Sequence, residues 1–312
     1  MISRRLLRIK VLHILYAYFK SDKKGLTSYE KDLFKSINMS YDLYYLFFML
    51  IIDVREYAQQ KIEIAKKKRI PTEADINPNM KFVNNKLILQ LMDSDAIYRY
   101  FNERKLSWSD NPELIKNIYN IMLSSNTYQK YMAIAEVDYN TDKQFVIDFL
   151  LEYLVDNDLF YQILEERSIY WNDDIEFILS MNIKTIQKMK PSSNIKLFPI
   201  FKNTEDEEFV KKLFRMVILN HEDNVKIIQE NIKNWDIERI ASMDLLVLEM
   251  AIVEILQFSN IPIKVSFNEY IELVKFYSTT RSNAFVNGVL DKIINKLKKE
   301  GKVEKIGRGL KE

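Results

Sequence analysis

The chain has no cysteine. Disulfides, thiol nucleophiles and Cys-ligated zinc are therefore excluded, and a reducing compartment such as the cytoplasm fits. Histidine is almost missing too. His13 and His221 are the two present, far apart and without HxH or HxxxH spacing, so no metal site is expected. Only 5 glycines and 6 prolines occur in 312 residues. That scarcity leaves no room for GxGxxG or a P-loop, so no cofactor is expected, and it disfavours a hairpin-rich β fold. Long hydrophobic runs are also lacking. The most apolar stretch, Leu43–Ile52, lies between Asp42 and Asp53 and is too short to cross a bilayer; a buried helix is expected. The interruptions at Arg8 and Lys10 leave no clean signal segment, so a cytoplasmic protein without membrane association is expected.

What is present is apolar content of 47%, enough for a folded core, and a net charge of only +2 that is unevenly distributed. Residues 1–24 carry Arg4, Arg5, Arg8, Lys10, Lys20, Lys23 and Lys24 against Asp22 alone, and the tail from Lys292 to Lys311 is rich in lysine. Basic ends on a near-neutral chain suit contact with a polyanion, and they also serve solubility.

Apolar spacing predicts helices almost throughout. The first runs from about Ser3 to Lys20, with Leu7, Val11, Ile14 and Tyr18 as its buried stripe. Arg5, Leu12 and Tyr16 form a second line on the opposite side. Arg5 and Tyr16, three turns apart, share a face that could hold phosphates and stack a base; read alone, the spacing favours Tyr16 as a core residue. A short helix is expected at 28–37, a long one at 40–68, and a loop marked by Pro71 and Pro78. Further helices are expected near 86–92, 96–104 and 112–123. Residues 144–189 then match 208–251 in order: Phe145-Val146 with Phe209-Val210, Glu166 with Glu230, Trp171 with Trp235, residues 174–176 with 236–238, and Ser180-Met181 with Ser242-Met243. This pattern reads as a decayed duplication. The expected domains are 1–70, an insertion at 71–200 and a C-terminal part at 201–312.

Residues 243–291 are the most densely punctuated stretch. Leu245, Leu248, Ile252 and Ile255 space as one helix face, interrupted by the acidic Asp244 and Glu254. Pro262 stops that helix. Ser266 and Glu269 read as a capping box opening the next one, with Phe267, Ile271 and Val274 facing inward. A last helix from about Ser282 buries Val286, Val289, Leu290, Ile293 and Leu297. Gly288 within it suggests a close approach of another backbone or a ligand.

The run IPIKVSFNEYIELVKFYSTTRSNAFVNGVLDKI resembles the C-terminal signature of the NusB family of transcription antitermination factors. MDLLVLEMAIVEIL resembles the preceding helix of that family, and RRLLRIKVLHILYAYF its arginine-rich first helix. The length resembles an expanded, Bacteroidetes-type form. The resemblance implies an all-α fold, a helical bundle of two subdomains, here with a large helical insertion containing the degenerate repeat. It implies binding of boxA-type single-stranded RNA together with the ribosomal protein NusE, joining the RNA polymerase elongation complex, with homodimers as one state of the family. By position it implies RNA contacts from Arg4, Arg5, Arg8, Lys10, Tyr16, Phe285 and Asn287, and partner contacts from Asp244 and Glu254. Ile9, Arg281 and Ala284 depart from the family pattern. Two other readings stay open: a helical protein–protein scaffold without RNA binding, and an RNA-binding module associated with ribosomal RNA modification. No catalytic constellation is seen.

Overall fold

A computed structural model describes residues 1–22, 25–232 and 240–310. These contain fifteen α-helices and no strand. In order they are α1 (Arg4–Lys20), α2 (Leu26–Lys66), α3 (Glu73–Ile76), α4 (Lys86–Met92), α5 (Asp95–Arg104), α6 (Pro112–Ser124), α7 (Asn126–Ala133), α8 (Tyr139–Leu154), α9 (Asp158–Arg167), α10 (Ile175–Lys188), α11 (Thr204–Leu219), α12 (His221–Asn231), α13 (Ser242–Gln257), α14 (Ile263–Tyr277) and α15 (Ser282–Lys299). The all-α expectation is met. Two compact units divide the chain: residue 1 with 38–200, and 2–37 with 201–312. One division between the units falls inside α2 and the other after residue 200.

The second unit is built around α13. This helix packs against α1, α11, α12, α14 and α15, and its residues from Leu246 to Ile255 are all buried. An amphipathic helix needs only one apolar face; a helix apolar on every side must sit at the centre. Ser3 caps α1, its Oγ accepting from the Leu6 N–H at 3.2 Å. Leu7, Val11, Ile14 and Tyr18 are buried as the spacing predicts, but so is Leu12, which belongs to the core.

In the first unit, Leu43, Leu46, Phe47, Leu50 and Ile51 of α2 are fully buried. By length and composition α2 could cross a membrane, yet 72% of its most apolar window is buried inside the protein, as befits a core helix. Trp108 Nε1 and Asn182 Nδ2 donate to the Leu46 and Tyr44 carbonyls at 2.9 and 2.8 Å, tying α10 and the segment before α6 to α2. α8 packs against α4, α6, α7 and α10. The helices expected at 86–92, 96–104 and 112–123 are α4, α5 and α6, and Pro112 occupies the first turn of α6, where its missing N–H costs nothing.

Four local expectations are corrected. No break separates 28–37 from 40–68: α2 is continuous, and the Ser40 hydroxyl, buried, donates to Asp174 at 2.5 Å instead of capping a new helix. Ser266 does not open α14. That helix begins at Ile263, and Ser266 lies buried one turn in. The buried face of α14 is therefore Ser266, Tyr270, Leu273 and Val274, with Phe267 and Ile271 half-buried. Gly288 is exposed, and a Cβ built there meets nothing within 4 Å, so no close approach requires it.

The duplicated segments share their order of elements, α8–α9–α10 and α11–α12–α13. Glu166 and Glu230 are both the penultimate residue of their helix. Ser180-Met181, however, sits inside α10, while Ser242-Met243 opens α13, so that pair does not occupy equivalent places. Trp235 and residues 236–238 lie outside the described residues.

Candidate nucleic-acid interface

The first turn of α1 carries no acidic residue and begins with two arginines. All three arginines of α1 meet carboxylates of the same unit. Arg4 Nε donates to Asp206 Oδ1 at 2.8 Å, with Glu205 3.6 Å away. Arg5 forms a two-pronged pair with Glu269, at 3.0 and 2.9 Å, and its side chain is 52% exposed. Its pKa is raised chiefly by that hydrogen bond to Glu269.

Arg8 is different in kind. It is buried, and its Nε and Nη2 donate to the two oxygens of Glu254 at 2.8 and 2.7 Å. Glu254 is 0% exposed. Its Oε1 also accepts from Ser266 Oγ at 2.8 Å and its Oε2 from Tyr270 OH at 2.9 Å. Each carboxylate oxygen thus takes two donors, which offsets the cost of removing the charges from water. The Phe209 and Tyr270 rings lie 5.3 and 5.8 Å from the guanidinium carbon. Burial opposes the charge on Arg8, but Glu254 outweighs it and holds the pKa above its ordinary value. Burial and Glu254 together keep Tyr270 protonated far above the usual phenol range.

Two expected site residues therefore pair with each other inside the protein. Arg8 was expected to face RNA and Glu254 a protein partner; neither reaches the surface. Lys10, 3% exposed, is also in the interior, on the packed side of α1. Asp244 is 4% exposed, in the first turn of α13, and its Oδ1 has no hydrogen-bond partner among the described residues. Asn287 is exposed and Phe285 half-buried. Two residues apart on α15, they point about 200° from one another and cannot share one ligand face.

Besides the exposed Ala17 and the half-buried Arg4 and Phe19, the exposed side of α1 is one stripe. Arg5, Ile9, His13, Tyr16 and Lys20 recur at helical spacing, with Arg5, Tyr16 and Lys20 exposed and Ile9 and His13 half-buried. Lys20 Nζ lies 5.8 Å from the Tyr16 ring centroid. The His13 ring meets Tyr277 of α14 edge-on at 5.1 Å. At the far end of α1, Phe19 contacts the His221 ring, whose Nδ1 is 2.8 Å from Glu249 Oε2. Arg5 and Tyr16 are about 16 Å apart along the helix, a span suited to several nucleotides. His13 and Lys20 could have been found by extending the Arg5–Tyr16 face with steps of three and four.

Among the described residues no group of three or more His, Cys, Asp or Glu could hold a metal.

The model of the NusB family matches residues 131–295, more than half of the sequence. The chain belongs to the NusB family. The match runs from α7 to α15, so it takes in the repeated α8–α10 as well as α11–α15, and it leaves α1 outside. Transcription antitermination protein NusB of Salinibacter ruber is 43% identical over 112 residues, 36% of this chain and 70% of that protein. The protein of the same name from Chloroherpeton thalassium is 41% identical over 104 residues, 33% of this chain and 49% of its own length. That of Finegoldia magna is 38% identical over 94 residues, 30% of this chain and 69% of its own length. No solved structure matches the chain.

Proposed function

We propose that this NusB-family protein is a non-enzymatic transcription antitermination factor of the cytoplasm. In this reading its second unit binds boxA-type single-stranded RNA along the exposed stripe of α1. NusE is its partner on RNA, and the RNA polymerase elongation complex is the target of the assembly. The observation that carries the reading is the stripe itself, Arg5, His13, Tyr16 and Lys20 on one helix face of a NusB-family unit. Cationic side chains neutralise phosphates, and aromatic rings stack unpaired bases. Arg4, half-buried beside Asp206, adds a phosphate contact at the start of the helix, and the exposed Asn287 offers a polar one from α15.

Titrating boxA-like and scrambled RNA, with and without NusE, across a salt series tests this directly. Tighter binding of the boxA-like sequence is expected, with log K falling by about 0.7 per phosphate contact for each unit of log salt. Equal binding of both RNAs in every condition would overturn it.

One observation favours the scaffold reading as the second choice. Arg4, Arg5 and Arg8 all engage carboxylates of the chain itself, so part of the cationic capacity of α1 is spent internally. If the scaffold reading holds, NusE binds without any response to RNA.

A further inference from the structure

A groove of about 530 Å³ opens beside the start of α1 in the second unit. Its lining includes the cap residue Ser3, Arg4 and Arg5 from α1, Pro262 from the turn before α14, Glu269 from α14, and Arg308 from the C-terminal segment. Arg308 lies almost at the opposite end of the sequence from Arg4 and Arg5. What brings it there is a latch. The Ile306 N–H donates to the Ser259 carbonyl at 3.0 Å, and Lys305 Nζ donates to the Phe258 carbonyl at 2.9 Å. A short 3-10 turn, Gly307–Leu310, then carries the chain past the 258–261 turn. Gly309 is buried there, and a Cβ on it would stand 1.9 Å from the Ser259 carbonyl oxygen and 3.0 Å from its carbon. Only glycine lets the two backbones approach so closely.

The charges in the groove are not equivalent. Arg4 faces Asp206 and Glu205, and Arg5 faces Glu269. Arg308 is exposed and has no ion pair among the described residues. An anion entering the groove therefore meets one uncompensated guanidinium, with a half-exposed second one on Arg5 whose carboxylate can be exchanged for phosphate. The planar fork of arginine suits phosphate oxygens.

We propose that the C-terminal segment is a latched strap that completes a phosphodiester-binding groove, with Arg308 as a backbone contact for the single-stranded RNA that runs along α1. The inference rests on the RNA reading given above and extends it to a residue outside every motif of the sequence. Gly309 has a positioning role, since it allows the strap to seat against Ser259.

The test uses the full chain and a fluorescent boxA-like RNA, titrated over a salt series, for wild type, Arg308→Ala, Arg308→Lys and Gly309→Ala, with helicity checked by circular dichroism. Arg308→Ala is expected to weaken binding roughly tenfold at low salt and to reduce the salt slope by about 0.7, with unchanged helicity. Arg308→Lys is expected to recover the slope but only part of the affinity, because lysine keeps the charge and loses the fork. Gly309→Ala is expected to reproduce the loss seen in Arg308→Ala by unseating the strap. Wild-type binding and slope in Arg308→Ala would overturn the strap while leaving the RNA reading standing. Wild-type behaviour in Gly309→Ala would overturn the latch. No binding by the wild-type chain itself would overturn the RNA reading and the strap together.

Discussion

The two units solve one problem in two ways. Each has a long helix with a buried aspartate in its first turn, three residues before a buried phenylalanine: Asp142 before Phe145 in α8, and Asp206 before Phe209 in α11. Each aspartate receives the beginning of an earlier helix. In the first unit the donor is backbone, the Lys86 N–H at 2.8 Å, joined by Tyr131 OH at 2.6 Å. In the second unit the donor is the Arg4 side chain at 2.8 Å. Only the second of these joints is made by an arginine. α4 is short and docks by its backbone. α1 is long, carries three arginines, and still leaves an exposed face. The comparison teaches that a buried aspartate can seat a helix by its backbone or by a side chain, and that only the second way brings arginine to the joint.

The largest way to break this comparison is at Glu254. Glu254→Ala leaves Arg8 buried without its partner and is expected to destabilise the second unit by about 3–5 kcal/mol, read as a shift in its urea midpoint. Replacing the whole cluster by apolar groups, Arg8→Met and Glu254→Leu with Ser266→Ala and Tyr270→Phe so that no buried donor is stranded, is expected to recover most of that loss. A cost near zero for Glu254→Ala would show that the pair does not hold the unit together. Next comes Asp142→Ala, which strands two donors in the first unit and is expected to cost about 1–3 kcal/mol there. A loss as large as that of Glu254→Ala would erase the difference between a neutral and an ionic joint.

A smaller effect separates the units by pH. Burial, helped by Glu56, pushes the Asp53 carboxyl of the first unit up to about 7. Between pH 3.8 and 7 folded Asp53 therefore keeps a proton that the unfolded chain has released. Stability falls as pH rises through that window, and Asp53→Asn is expected to remove the fall. Burial, opposed by Glu254, brings Lys305 of the second unit down to about 8. Between pH 8 and 10.5 it is the unfolded chain that holds the extra proton, so stability rises with pH there, and Lys305→Met is expected to flatten the rise. Unit-resolved hydrogen exchange against pH checks both signs. Smallest for stability is Tyr16→Ala, on the exposed face of α1. A change within about 0.5 kcal/mol is expected, accompanied by weaker RNA binding of about 1–3 kcal/mol if a base stacks on the ring.

Helix periodicity made most of the fold legible. α4 was readable to the residue, and α1, α6 and α15 nearly so, because their apolar spacing is regular and their ends carry Ser, Pro or lysine signals. The errors have a common origin. Ser40 reads as the start of a helix and Ser266 as a cap, yet each is buried and donates a hydrogen bond to a carboxylate outside its own helix, Asp174 and Glu254. Local spacing cannot report such a partner. The same holds for the site. Arg8 and Arg5 are both arginines of one helix, and only the fold shows that the first meets a carboxylate 246 positions away in the core while the second stays at the surface. Arg308 was legible only as one charge of the basic tail, and nothing in its local spacing set it beside Arg4 and Arg5.

The central claim is that RNA is held by the α1 face of the second unit and its strap, and not by the inserted helices. Ultraviolet cross-linking of the full chain to boxA-like RNA, with cross-linked peptides identified by mass spectrometry, tests it most directly. Cross-links are expected at the Arg5–Tyr16–Lys20 face and in residues 304–310. Cross-links confined to residues 38–200 would contradict it.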